Sequence, residues 1–63
     1  MGERLMRYYK YIADKHGLQG KMELAKMTKI PSMAAATTDD TPDRIALFKQ
    51  AVSRITSMPA PDY

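Results

Sequence analysis

Residues 41–55, Thr-Pro-Asp-Arg-Ile-Ala-Leu-Phe-Lys-Gln-Ala-Val-Ser-Arg-Ile, constrain the fold of this chain more than any other stretch. The Thr41 hydroxyl can cap a helix, Pro42 suits the first helical position, and Asp43 complements the positive end of the helix dipole. Ile45, Phe48, Val52 and Ile55 then recur at i, i+3, i+7 and i+10, which sets them on one face. That apolar stripe has to be covered by another element. The chain is therefore expected to be a folded helical unit.

Sixty-three residues make one small domain, and such a domain buries only ~60% of the surface its unfolded chain exposes. Disulfides, metals or partner subunits commonly supplement so small a core. With no cysteine in the sequence, disulfides, thiolate chemistry and Cys-based zinc sites are excluded. No apolar run approaches the ~18–20 residues of a membrane span, and no stretch resembles a secretory signal. A cytoplasmic protein with no membrane association is the expectation, with homo-oligomerisation as the supplementary source of stability. The formal charge of +3 is unevenly spread. Residues 1–29 hold seven basic and three acidic groups, whereas residues 30–63 hold three and four. A basic N-terminal half suits an acidic partner.

The spacing predicts a first helix over about residues 3–16. Leu5, Tyr8, Tyr9, Ile12 and His16 fall on one side, with Met6 and Ala13 at its margin. Glu3, Arg4, Arg7, Lys10, Asp14 and Lys15 occupy the other. Gly17 stands where a glycine stop belongs, and Gly20 is read as a further separator. Residues 21–29 form a second, shorter helix with a wide apolar arc, ended by Pro31, which disfavours helical geometry at Ile30. Residues 32–37 suit a short third helix capped by Ser32. A last helix covers about 42–56. Two prolines and no apolar periodicity make residues 57–63 an extended, mobile Pro-rich tail or truncated linker. The fold class is all-α, a compact bundle of three main helices plus one short helix in a single domain over 1–56. Its expected core is Leu5, Tyr8, Tyr9, Ile12, Leu24, Met27, Ile30, Ile45, Phe48, Val52 and Ile55.

Catalytic patterns are sparse. His16 is the sole imidazole and its angular position places it on the inward face, beside Tyr9 and Ile12. Asp39, Asp40 and Asp43 lack the alternation, turn glycine and terminal Glu of a calcium loop, and they suit a helix N-terminus instead. Residues 17–22 are too short for a phosphate loop, with Met22 where a hydroxyl is needed. No enzymatic activity, cofactor or metal is expected.

Two binding readings follow. Six methionines supply flexible, polarizable side chains that adapt to partner surfaces. The first reading is a non-catalytic protein-interaction or oligomerisation module using the margin residues Met6, Met22 and Leu47. The alternative rests on residues 24–37, Leu-Ala-Lys-Met-Thr-Lys-Ile-Pro-Ser-Met-Ala-Ala-Ala-Thr. In this stretch Ala25 supplies the small residue at a close helix crossing, Ile30 the apolar residue after the turn, and Ala35 the buried aliphatic position. It resembles the core of a helix-turn-helix DNA-binding unit, which implies nucleic acid as a partner and Ser32 and Thr37 on the recognition helix. Lys29 stands where that turn usually has glycine. A variant places nucleic acid on the first helix, where Tyr11 lies among Arg4, Arg7 and Lys15 and can stack on a base.

Overall fold

The computed structural model describes residues 2–63. It is an all-α globule of three helices, α1 (Glu3–Thr28), α2 (Ser32–Ala35) and α3 (Pro42–Thr56), with no strand among the described residues. Among these residues no helix is long and apolar enough to cross a membrane.

α1 is not one straight rod. A continuous helix of its 26 residues is about 39 Å long at ~1.5 Å per residue, yet the longest dimension of the molecule is 25 Å. The chain breaks at Gly17, with φ 66° and ψ −152°, a conformation essentially restricted to glycine. Two helical arms result, over 3–16 and 18–28. The glycine stop read from the sequence is thus present. Gly20 is not a separator, however. It is buried inside the second arm, where an added Cβ would lie 2.7 Å from the Ile12 Cγ2 and the His16 Cβ. Its missing side chain is what lets the second arm close on Ile12.

α1 packs along α3 and, less extensively, against α2. Leu5, Tyr8, Tyr9, Ile12 and Leu24 of α1 meet Ala35 of α2 and Phe48, Ala51 and Val52 of α3 in one buried cluster. Phe48 sits edge-on to Tyr9, with ring centroids 5.7 Å apart, and tilted against Tyr8 at 6.3 Å. Such aromatic pairs add about 0.5–1.5 kcal/mol beyond the area they bury. Met27, Ile30, Ile45 and Ile55, expected in the core, are only partly buried around it. His16, expected on the inward face, is exposed. It ends the first arm where the chain turns away at Gly17, and Gly20 occupies the place against Ile12.

The connectors are fastened by side chains. Lys29 ends α1 in the left-handed region at φ 60°, and the Tyr9 hydroxyl donates to the Ile30 carbonyl. The buried Thr28 hydroxyl donates to the Leu24 carbonyl at 2.7 Å and accepts from the Ile30 N–H at 3.3 Å. α2 is shorter than the expected 32–37, ending at Ala35. Pro31 rather than Ser32 occupies its N-cap position, with no side-chain cap. Thr41 caps α3 as read, accepting from the Arg44 N–H at 3.3 Å.

Residues 57–63 have no helix, as expected, but they fold back onto the helices as a strap. Ser57 reverses the chain at φ 57°. The Tyr8 hydroxyl then donates to the Pro61 carbonyl at 2.9 Å, Tyr63 meets the Tyr8 ring edge-on at 5.1 Å, and Lys49 pairs with Asp62 at 2.5 Å.

Candidate binding groove

The first arm of α1 is amphipathic, so one flank buries Leu5, Tyr8 and Ile12 while the next flank stays at the surface. Met6, Arg7, Lys10 and Ala13 lie on that second flank and, together with the buried Tyr9, line a groove of about 470 Å³. The opposite wall comes from Lys21, brought round by the break at Gly17, and Ser32 at the start of α2. Met6, Tyr9 and Ala13 make its floor apolar, and Arg7, Lys10 and Lys21 place three cations on its rim. None of its lining residues is acidic. Among the described residues, no carboxylate pairs with any of these three cations. The lining thus combines three cations with apolar side chains, a set that suits an anionic group carried on an apolar surface.

The sequence-derived binding residues are divided by the fold. Met6, Arg7 and Ser32 share this groove. Leu47 lies elsewhere, in a groove with Met27, Gln50, Ala51, Ser53 and Arg54, so the three margin residues do not converge on one surface. Met22 is exposed outside both grooves. Thr37 is exposed beyond the end of α2 and donates to the Ala34 carbonyl at 3.2 Å. Arg4 is exposed beside the start of α1, where its backbone N–H donates to the Asp40 carboxylate.

Tyr11 is half-buried, and the Lys15 ammonium sits over its ring, 5.6 Å from the centroid. It lines a smaller groove of about 280 Å³ with Arg7, Lys10, Asp14 and Tyr63. Asp14 places a carboxylate there, unlike the groove on the Met6 side. Arg7 and Lys10 form the ridge between the two.

Sequence reasoning missed Lys10, Ala13 and Lys21 as groove residues. Lys10 stands four residues after Met6, a spacing that puts the two on one flank. Lys21 had no such signal, because its place depends on the direction the chain takes at Gly17.

His16 lines a shallow surface depression with Gln19, Gly20, Glu23 and Ile55. No group of three metal-ligating side chains occurs among the described residues. Burial pushes the Tyr9 hydroxyl above its ordinary value, with an opposing contribution from the Thr28 side chain. Tyr9 thus enters the groove floor as a neutral ring. No protein-family model matches the chain, and no curated protein or solved structure shows significant similarity to it.

Proposed function

We propose that this protein is a non-catalytic interaction module that binds an acidic protein partner. One observation carries the reading: an apolar floor of Met6, Tyr9 and Ala13 lies under Arg7, Lys10 and Lys21 with no carboxylate among them. Unpaired cations speed encounter with an acidic partner and select against basic ones. Met6 adapts to an irregular apolar surface. The non-catalytic part of the reading rests on His16, the one imidazole, whose surroundings offer Glu23 but no nucleophile.

Charge argues for a different partner rather than a second copy at this groove. The outward side of α3 presents Ala46, Leu47, Gln50 and Arg54, with Asp43 as its single acid. It is a poor complement for three cations.

Helix-turn-helix binding to nucleic acid is the second reading, favoured by two features. Lys29 takes the left-handed conformation at the turn position, and Ala35 is fully buried where that pattern places an aliphatic residue. Against it, α2 spans only four residues, Ser-Met-Ala-Ala, and carries none of the Arg, Lys, Asn or Gln side chains that read base edges in the major groove.

Titration of the ¹⁵N-labelled protein with an acidic Glu/Leu/Ala peptide, and separately with a short generic DNA duplex, tests the two readings. Saturable amide shifts around Met6, Ala13 and Lys21 with the peptide are the expected result. Shifts produced by DNA alone, centred on residues 24–38 or on Arg4, Arg7, Tyr11 and Lys15, would replace the first reading with the second.

A further inference from the structure

We infer that the partner segment seated in the Met6–Ala13 groove is an amphipathic α-helix bearing Asp and Glu beside its apolar stripe. This inference rests on the interaction reading above and narrows the kind of segment that is bound.

The shape of the groove selects a helix over an extended chain. Its long wall is the flank of one α-helical arm, from Met6 to Ala13, which runs about 10 Å at ~1.5 Å per residue. On that arm Met6, Lys10 and Ala13 are spaced i, i+4 and i+7, which sets them on one helix face, a surface against which a second helix can pack. Ala13 is the small residue at one end of that face, where a partner backbone can come close. An extended peptide gains its affinity chiefly from main-chain bonds to an open sheet edge. Here both arms of α1 spend their interior backbone groups on their own helical bonds, and there is no strand among the described residues. The groove offers side chains only, which is the helix-in-groove mode of recognition.

Charge fixes the orientation of that helix. Arg7 and Lys10 rise from the first arm and Lys21 from the second, so cations stand on both sides of the apolar floor. A helix lying between them meets a positive rim along both edges of its apolar stripe. Acidic residues flanking Leu, Ile or Phe at i, i+3/i+4 and i+7 satisfy this arrangement.

Lys21 is the discriminating residue. Arg7 and Lys10 also line the Tyr11–Tyr63 groove, whereas Lys21 lines only this one. Lys15, outside the groove, provides the control. The probe is a synthetic peptide of about 18 residues, long enough for measurable helicity, with Leu at helical spacing and Glu on both flanks. A second peptide has the same composition with two central positions changed to Pro.

Binding is followed by amide shifts and by the peptide's circular dichroism. The expected result is a gain of peptide helicity on binding, with shifts at Met6, Tyr9, Ala13 and Lys21. Lys21→Glu should weaken binding about tenfold or more, Lys15→Glu should change it little, and the proline peptide should fail. A bulk variant, Ala13→Arg, should block the site even at high salt, where charge effects are screened. Equal binding of the helical and proline peptides would overturn the helix inference while leaving an acidic protein partner in place. No binding of either peptide at low salt would overturn both. Binding unaffected by Lys21→Glu and Ala13→Arg would place the site elsewhere and overturn this assignment.

Discussion

The two long helices of this protein are capped by neighbouring residues, Asp40 and Thr41, that do the same work at very different range. Thr41 caps α3 from within, its hydroxyl accepting from the Arg44 N–H three residues on. Asp40 caps α1 from across the molecule, its carboxylate accepting from the Arg4 and Leu5 N–H groups at 3.2 and 3.4 Å. Both satisfy amides that a helix start leaves without a partner. One cap is an instruction written beside the helix it serves. The other exists only once the chain has folded. A single dipeptide thus joins the starts of α1 and α3, at the end of the bundle where Gly2 is buried against the Ala35 carbonyl.

The locally written class of instruction has its strongest test at Gly17. Gly17→Ala forces a β-carbon into a glycine-only conformation, although the space around it is open. A loss of about 2 kcal/mol is expected, measured by urea denaturation. A stability equal to wild type would mean that the break is set by packing of the arms and not by the glycine. The caps come next. Asp40→Ala should cost about 1.5 kcal/mol and Thr41→Ala about 1 kcal/mol, the larger value reflecting two charge-assisted bonds near a helix dipole. Hydrogen exchange separates them. It should quicken at Arg4 and Leu5 only in the first variant, and at Arg44 only in the second. Fraying of both helices in either variant would merge the two caps into one cooperative corner and end the distinction.

That distinction also explains which parts of the fold were legible in the sequence. Leu5, Tyr8, Tyr9, Ile12, Phe48 and Val52 were readable because periodicity is a local property and the helices are long enough to express it. Gly17 was readable because a glycine following a helical pattern has a local conformational reason. Gly20 carries the same letter for a tertiary reason, close approach to Ile12, and nothing nearby distinguishes the two. His16 has the angular position of a core residue, yet the first arm ends there and the side chain passes beyond the covered surface. Asp40 read as favourable to the nearest helix, whereas it serves one that begins 37 residues earlier.

The groove divides in the same way. Met6 and Arg7 were candidates from one helix alone, and Lys10 and Ala13 lie on the same flank. Lys21 and Ser32 join them only through the break at Gly17 and the turn at Lys29. Hence half of the site was visible as a face, and its closure was not.

The smallest expected effect concerns the strap, whose docking is also made by the fold and whose ion pair lies in solvent. The hydrogen bond to Lys49 holds the Asp62 carboxyl below its ordinary value, and the same bond raises the Lys49 ammonium. A lowered acid contributes stability that is full above the unfolded value, about 3.9 for Asp, and is lost as pH falls through the lower folded value. A raised base contributes stability that is full below its unfolded value, about 10.4 for Lys, and is lost as pH rises through the folded one. Burial likewise raises the Tyr8 hydroxyl, which must stay protonated to donate to Pro61. Its share is complete below about pH 10 and lost as pH climbs through the raised value. Strap docking should therefore be steady between about pH 4 and 10 and weaken on both sides. The ring resonances of Tyr63, which sits edge-on to Tyr8, report it. Asp62→Asn should remove the acidic transition in those resonances and keep the alkaline one, since Tyr8 still titrates. An acidic transition that survives Asp62→Asn would mean that another acid titrates there and that the Lys49–Asp62 pair is incidental to the strap.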